Sequence, residues 1–323
     1  MQATPSRAAL PRRSWLERLG MISLKRDELV RRHGRSNSRF LSFMGARVHY
    51  LDEGASAAGG APIVLLHGFG ASLDTWDGVA ADLAREHRVI RVDLPPFGIT
   101  GPLRSASGEI ATMDLPAYRA FIDAFVAALG IEERATFVGN SLGGLIAWDY
   151  ALRHPKGVDK LVLVDAAGFR MRVPKHIALF THPLVRLTVS HCMPDAFVTD
   201  AIRSVYGDPA QPDAATLRRY ADFFHGEGTR EAVVKMVPTL DFAALDVEAL
   251  ARLHVPTLVL WGGKDRWIPL AHANEFVRRI RGARSVVYPE LGHIPMEEAP
   301  ARVLADLHAF FERTTGAALG VAG

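Results

Sequence analysis

The chain has 323 residues, of which 49% are hydrophobic and 23% charged, a globular composition that excludes collagen, coiled coil and low-complexity disorder. Its single cysteine excludes an intramolecular disulfide and a cysteine-based zinc cluster. Residues 1–36 carry nine basic and three acidic groups, which leaves 29 basic and 32 acidic groups in the remainder. The basic excess therefore lies in the N-terminal segment, and no nucleic-acid-binding face is expected on the fold itself.

Residues 1–36 are predicted to be a basic N-terminal leader. Its apolar stretch from Leu16 to Leu24 is interrupted by Glu17 and Arg18, so it lacks the continuous apolar core of a secretory signal. No run of about 18 apolar residues, the length of a membrane-spanning helix, is present. We expect a cytoplasmic protein with a solvated or loosely docked leader. Weak contact of the leader with a membrane surface, as a short basic amphipathic helix, is the alternative.

Short apolar runs alternate with helical patterns from about residue 38 onward, which indicates an α/β fold with a mostly parallel, eight-stranded sheet flanked by helices. The central runs are almost continuous valine, isoleucine and leucine, as in strands that helices bury on both faces. The first two runs alternate more, and the turn at residues 44–46 predicts a hairpin. The predicted strands are Arg39–Phe43, Val48–Asp52, Ile63–Leu66, Val89–Asp93, Ala135–Val138, Leu161–Val164, Thr257–Trp261 and Ser285–Tyr288.

Helices are predicted between the strands. Asp114 and Pro116 mark the start of one that ends at Gly130. Two further helices are predicted, over 142–152 and over 300–313.

One stretch, residues 168–250, has helical patterns but no strand pattern. About 80 residues without a strand are too many for a plain loop. We predict a helical cap at 168–250, inserted into a core of residues 37–167 and 251–315. It is expected over the carboxyl edge of the sheet, where ligands bind in open α/β folds.

The candidate nucleophile is Ser141, in the sequence Gly139-Asn140-Ser141-Leu142-Gly143. This segment directly follows a predicted strand and directly precedes a predicted helix. A sharp strand-to-helix turn of this kind strains the serine backbone and exposes its hydroxyl oxygen, and it requires very small residues two positions before and after the serine. The pattern therefore predicts a nucleophile elbow.

A serine hydroxyl needs a base, and the base needs an acidic partner. Of the 13 histidines, His293 lies in the loop after the last strand, at the edge of the sheet that carries Ser141. Asp265 follows the preceding strand at the same edge and is the predicted acid, with Asp165 as its rival. The chain order Ser141, Asp265, His293 agrees with the order of this triad on open α/β sheets.

Acyl transfer also requires donors for the developing oxyanion. The backbone N–H of Leu142, at the start of the elbow helix, is one candidate. The other is the N–H of Phe69, in the loop His67-Gly68-Phe69-Gly70, whose glycines allow close approach to a substrate.

Together these motifs resemble the α/β-hydrolase superfamily over residues 40–313, and most of all its capped bacterial esterases and lipases. Epoxide hydrolases and haloalkane dehalogenases of this fold have aspartate at the elbow, where this chain has Ser141. Hydrolases of carbon–carbon bonds usually have tryptophan after the catalytic histidine, where this chain has Ile294. One departure from the superfamily is Pro96, at a position that is often glycine.

The resemblance implies a serine carboxylic ester hydrolase that acts through an acyl-enzyme on a small-molecule ester, without metal or organic cofactor. The apolar content of residues 168–250 favours short-to-medium acyl esters if it lines a pocket, although it can equally hold the cap on the sheet. The alternatives are a lipase for longer chains, a carbon–carbon bond hydrolase or an acyltransferase on the same triad, and a non-catalytic ligand-binding protein. The oligomeric state is not predicted.

Overall fold

One eight-stranded sheet forms the centre of the molecule. The computed structural model describes residues 13–54, 60–131 and 134–319, with side chains described as far as residue 313. The strands are β1 (Arg39–Phe43), β2 (Ala46–Glu53), β3 (Ile63–Leu66), β4 (Val89–Val92), β5 (Ala135–Asn140), β6 (Val158–Val164), β7 (Thr257–Gly262) and β8 (Arg284–Tyr288).

The strand order is β1-β2-β4-β3-β5-β6-β7-β8. β2 pairs antiparallel with β1 and β4, and all other pairs are parallel. β3, β4, β5 and β7 are buried along their whole length because helices cover the sheet. All eight predicted strands are confirmed, with ends that differ by at most three residues, and so is the α/β class.

Thirteen α-helices accompany the sheet in the described residues. α4 begins where the sequence predicts, since the Asp114 side chain accepts a 2.9 Å hydrogen bond from the N–H of Ala117. The helices are α1 (Trp15–Arg18), α2 (Arg26–His33), α3 (Asp77–Leu83), α4 (Leu115–Ala128), α5 (Leu142–Arg153), α6 (Lys175–Ala178), α7 (Pro183–Thr188), α8 (Asp195–Val205), α9 (Ala214–Phe224), α10 (Thr229–Met236), α11 (Ala271–Arg279), α12 (Pro295–Glu298) and α13 (Pro300–Leu319).

The chain between β6 and β7, all of it described, contains helices and turns but no strand. Its helices are α6 to α10, with short 3₁₀ segments at Leu179–Thr181, Val237–Thr239 and Val247–Arg252; a fourth 3₁₀ segment, Leu73–Trp76, precedes α3. We refer to residues 168–250 as the insertion. It reaches the carboxyl edge of the sheet, since the carbonyl of Val205 accepts a 2.7 Å hydrogen bond from the N–H of His293.

The N-terminal segment packs tightly against the insertion. Arg13 pairs with Asp195 at 2.8 Å, and Leu24 forms an isolated bridge with Gly226. Leu29 is fully buried. The expectation of a solvated or loosely docked leader is therefore wrong for residues 13–36, while residues 1–12 of the leader lie outside the described residues. Among the described helices, none is both long enough and apolar enough to cross a membrane.

Candidate active site

Ser141 occupies the turn between β5 and α5. Its backbone has φ 54° and ψ −115°, a strained conformation for a residue with a side chain. The turn tolerates only glycine at position 139, because a Cβ there would lie 2.3 Å from the carbonyl oxygen of Gly143. The side chain of Ser141 lines an internal cavity, as an elbow that presents its hydroxyl at the sheet edge requires.

His293 and Asp265 form a buried pair at the same edge. Nδ1 of His293 lies 2.7 Å from Oδ2 of Asp265, and the two side chains are 5% and 0% exposed. The other carboxylate oxygen of Asp265 accepts hydrogen bonds from the N–H groups of Trp267 and Ile268, at 2.7 and 3.0 Å. Because the carboxylate is fixed from both sides, it holds Nδ1 in the protonated tautomer and leaves Nε2 as the basic nitrogen.

Asp165, the rival acid in the sequence, lies beside this pair but does not replace Asp265. One of its oxygens accepts a 2.9 Å hydrogen bond from the N–H of Gly262. One carboxylate oxygen of Asp165, one of Asp265 and one ring nitrogen of His293 all lie within 4.8 Å of one another. Burial first, and then the charge of Asp265, raise the pKa of Asp165 well above its ordinary value. Burial thus favours the neutral form of Asp165 beside the Asp265 carboxylate.

The same three side chains have the spacing of a small metal site. Both oxygens of Asp265 and Nδ1 of His293 already have partners in the hydrogen bonds described above. The ligand atoms of Asp265 and His293 are therefore accounted for by a histidine–carboxylate pair, while Oδ2 of Asp165 is buried without a hydrogen-bond partner among the described residues.

The loop after β3 passes directly against Ser141. A Cβ at Gly68 would lie 3.0 Å from the Cβ of Ser141. His67 fixes this loop, because its Nε2 accepts the N–H of Leu94 at 2.8 Å while its Nδ1 lies 2.8 Å from the carbonyl oxygen of Gly68. Burial lowers the pKa of His67, so the ring stays neutral in this role.

Two backbone donors remain open beside the nucleophile. Within the described residues neither Phe69 nor Leu142 donates its N–H to a protein acceptor. For Leu142 this follows from its place in the first turn of α5, where N–H groups have no partner in the helix. Phe69 lies inside a turn that the N–H of Ala71 closes by donating to the carbonyl of Gly68 at 3.3 Å, and the N–H of a residue inside such a turn is not used by the turn itself. Both groups are available to an oxygen bound at this edge.

Three supports of the His293 loop were not predicted. The Asn140 side-chain amide donates to the carbonyl of His293 at 3.0 Å. Glu298 accepts the N–H of Gly292 at 2.8 Å and the N–H of Gly207 at 2.8 Å. Val205 accepts the N–H of His293 itself. Only Asn140 carried a sequence signal, as the residue that directly precedes the elbow serine.

The space around Ser141 is apolar and narrow. Ser141 lines a cavity of about 30 Å³ with Phe69, Ile177 and Trp267. These three residues also line a second cavity of about 30 Å³. A larger cavity of about 300 Å³ shares walls with the first at Leu142, Leu240 and Phe242. In the described structure no lysine or arginine lines any of the three.

The hydroxyl of Ser141 and the ring of His293 do not share a hydrogen bond among the described residues. Trp267 connects the two, because it lines the Ser141 cavity and its ring stacks on His293 with centroids 5.8 Å apart. Of the sequence-predicted residues, the structure thus pairs Asp265 with His293 and sets Ser141, Phe69 and Leu142 around one cavity.

Comparison with known proteins gives the family. Residues 63–307 match the model of the alpha/beta hydrolase family. A 2-hydroxy-6-oxo-6-(2'-aminophenyl)hexa-2,4-dienoic acid hydrolase of Metapseudomonas resinovorans is 27% identical, over 81% of this chain and 86% of its own. Lipase 1 of Psychrobacter immobilis is 28% identical, over 82% and 81%. The crystal structure of a membrane phospholipase A is 25% identical, with a TM-score of 0.71 over 93% of this chain and 89% of its own. The chain therefore belongs to the alpha/beta hydrolase family.

Proposed function

We propose that this protein is a serine carboxylic ester hydrolase that acts through an acyl-enzyme. The observation that carries the proposal is the 2.7 Å hydrogen bond between the buried Asp265 and His293. It lies at the sheet edge that also holds Ser141 in a strained turn. A nucleophile, a base of fixed tautomer and two open N–H donors are the parts that acyl transfer needs.

In the first half-reaction, Nε2 of His293 takes the hydroxyl proton as the Ser141 oxygen attacks the acyl carbon. The carbonyl oxygen becomes an oxyanion, which the N–H groups of Phe69 and Leu142 stabilise. His293 then returns the proton to the alcohol, which leaves. The Ser141 hydroxyl must approach Nε2 when the ester binds, and such hydrogen bonds are commonly long in unliganded enzymes.

In the second half-reaction, water attacks the acyl-enzyme while His293 takes one of its protons. The second tetrahedral intermediate uses the same two N–H donors. His293 then gives the proton back to the Ser141 oxygen as the acid leaves. Asp265 acts throughout by stabilising the charged imidazole, and Asp165 stays neutral beside it.

The cavities favour neutral, apolar esters with short-to-medium acyl chains. A cavity of about 30 Å³ at Ser141 holds few methylene groups. The adjoining cavity of about 300 Å³ offers room for the other half of the ester. We propose that the insertion acts as a cap over this site. A lipase activity on longer chains is the nearest alternative, and the likeness to Lipase 1 and to the phospholipase A supports it.

The second candidate is hydrolysis of a carbon–carbon bond, which the similarity to the dienoic acid hydrolase favours. A dienoic acid substrate carries a carboxylate, and a buried carboxylate requires a cationic partner. The described cavities around Ser141 have no lysine or arginine in their walls. This lack of a cation favours the ester.

The test is the initial rate on p-nitrophenyl esters from acetate to palmitate, for wild type, Ser141→Ala and the matched control Ser42→Ala. Ser42 is exposed on β1, far along the sheet from Ser141. We expect turnover that is lost only in Ser141→Ala and is greatest for short-to-medium chains. A maximum at the longest chains would indicate the lipase.

Other outcomes separate the remaining functions. Turnover of a chromogenic ring-cleavage product with none on esters would indicate the carbon–carbon hydrolase. A new ester formed in the presence of added alcohol, in place of free acid, would indicate an acyltransferase. Tight ligand binding with negligible turnover would identify a binding protein.

A further inference from the structure

Most of the strongly exposed apolar side chains in the described structure lie in two segments of the chain. Of the ten large apolar residues that are strongly exposed in the described structure, seven lie in residues 15–22 and 179–187. Trp15, Leu184 and Leu187 are the most exposed, at 67%, 67% and 72%. We call the exposed apolar side chains of these two segments the apolar face. Exposure on this scale, in a cluster, is uncommon on a surface that contacts only water.

The two segments lie beside each other in the fold, although residues 23–178 separate them in the chain. The carbonyl oxygen of Leu19 accepts the N–H of Met193 at 3.0 Å and the thiol of Cys192 at 3.5 Å. Arg13 and Asp195, which lie close in sequence to those contacts, are also bound to each other at 2.8 Å. The α1 segment is thereby fixed beside the turn that follows α7.

Basic groups outnumber acidic groups in and beside the apolar face. The nearby acids of α8 are paired, Asp195 with Arg13 at 2.8 Å and Asp200 with His176 at 2.9 Å. Residues 170–194 contain four lysine or arginine residues and no aspartate or glutamate. Glu17, the acid beside Trp15, is bound to Arg32 at 3.2 Å. The surroundings of the face are therefore cationic.

The positive charge around the apolar face indicates which kind of partner binds there. A second copy of the chain would bring two cationic surfaces together across a symmetric interface, which like charges oppose. An anionic lipid surface attracts the same basic groups, and its acyl region accepts the apolar side chains.

An apolar route leads from this face toward Ser141. Phe180 and Phe197 line a surface groove with Leu179, Val185 and Cys192. The same two rings, 6.2 Å apart, line the inner cavity that reaches Phe69 and Trp267. Phe69 and Trp267 in turn border Ser141. Mostly aromatic and aliphatic side chains thus lie between the apolar face and the nucleophile, with His176, Thr188 and Cys192 among the described wall residues.

We propose that the apolar face docks on an anionic phospholipid membrane, so that the groove between Phe180 and Phe197 opens toward the bilayer. The docking does not depend on the reaction at Ser141. The consequence that esters dissolved in the bilayer are the substrates rests on the proposed function.

The test is co-sedimentation of the full chain with vesicles of phosphatidylcholine, alone or with about a third phosphatidylglycerol. Wild type should bind the anionic vesicles at least tenfold more strongly than the neutral ones. Leu184→Ser/Leu187→Ser should weaken that binding at least tenfold. The control Leu270→Ser changes an exposed leucine outside the face and should bind as wild type. Hydrolysis of soluble p-nitrophenyl acetate should be unchanged in both variants, which shows that they are folded.

A second readout locates the contact. Trp15 is the strongly exposed tryptophan, whereas Trp76, Trp148 and Trp261 are buried. Vesicles should shift the fluorescence of wild type to shorter wavelength, and Trp15→Phe should abolish the shift.

Equal vesicle binding by wild type and Leu184→Ser/Leu187→Ser would overturn the proposal. So would the absence of any vesicle binding, together with a dimer in sedimentation that the double variant dissociates. Ester hydrolysis without vesicle binding would refute the docking alone, and vesicle binding without ester hydrolysis would refute the proposed function alone.

Discussion

Exchange of Asp265 for asparagine tests which carboxylate works with His293. Oδ1 of Asp265 accepts the N–H groups of Trp267 and Ile268. In Asp265→Asn the amide oxygen must keep that position, because an amide nitrogen there would face two donors. The amide nitrogen therefore takes the place of Oδ2, opposite Nδ1 of His293, and becomes a donor to it. The imidazole is then held with its proton on Nε2, the nitrogen that must accept the proton of Ser141.

The expected loss is large because the variant holds the wrong tautomer and removes the charge that stabilises the imidazolium. Loss of tautomer control in a serine–histidine–aspartate triad costs about 10⁴-fold in turnover. This corresponds to about 5.5 kcal/mol of transition-state stabilisation. The fold should persist, since the exchange keeps the shape of the side chain and both backbone hydrogen bonds.

The assay is the initial rate on p-nitrophenyl acetate, with all variants compared at one pH. The matched variant is Asp165→Asn, in which the side chain is neutral and its amide oxygen can still accept from Gly262. We expect it to retain activity within about tenfold of wild type, a change of under 1.4 kcal/mol. Circular dichroism and the thermal midpoint control for folding. If Asp165→Asn lost as much activity as Asp265→Asn, or Asp265→Asn lost little, the assignment of the acid would be refuted.

Three other variants test the elbow, the cavity and the N-terminal contact. Gly139→Ala should yield little active enzyme, because its Cβ would lie 2.3 Å from a backbone oxygen; normal active-site titration with a phosphonate would contradict the elbow geometry. Phe242→Ala should join the cavities of about 30 and 300 Å³ that Phe242 borders. The kcat/KM for longer esters should then rise by about fourfold for each extra methylene group. An unchanged chain-length profile would show that the acyl group binds elsewhere. Asp222→Asn should lower the unfolding free energy at neutral pH by about 3–5 kcal/mol, because buried Asp222 is the anionic partner of the largely buried side chains of Arg13 and Arg32 at 3.4 and 3.5 Å and of His33 at 3.0 Å. Burial opposes the shift, but the hydrogen bond and charge of His33 lower the pKa of Asp222 overall, so in urea titrations the difference should vanish as the pH falls through that lowered pKa; a constant difference would refute the ion pair.

The sheet could be predicted because its signals are local. β3 and β4 are four-residue apolar runs whose side chains are all buried, and two-sided burial leaves a continuous pattern in sequence. The elbow could be predicted for the same reason, since the small residues that its tight turn requires lie only two positions before and after Ser141. Position along the sheet then narrowed 13 histidines to His293, because parallel strands bring their carboxyl ends to one edge.

The N-terminal contact could not be predicted because its partners are distant in sequence. Arg13 is 182 residues from Asp195, and His33 is 189 residues from Asp222. The charge count of the N-terminal segment included the basic residue of each pair but not its distant acidic partner. It therefore favoured a solvated leader. The hydrogen bond from His293 to Val205 and that from Gly207 to Glu298 could not be predicted for the same reason.

These distant contacts also decide which part of the insertion can move. The end of α8 is bound to the His293 loop through the carbonyl of Val205, and Gly207 is joined to Gly292 through Glu298. Displacement of this end of α8 would leave buried N–H groups without acceptors, and each would cost about 1–3 kcal/mol of stability. It would also shift His293. By contrast, the described backbone N–H groups of residues 177–191 donate only to carbonyls within residues 174–188. The α6–α7 segment is held to the rest of the molecule by apolar side chains and by the exposed contact of His176 with Asp200 at 2.9 Å. Its movement on a lipid or an ester would therefore break no backbone hydrogen bond. Opening of the site should therefore occur at α6–α7, under the apolar face, while the catalytic histidine stays in place.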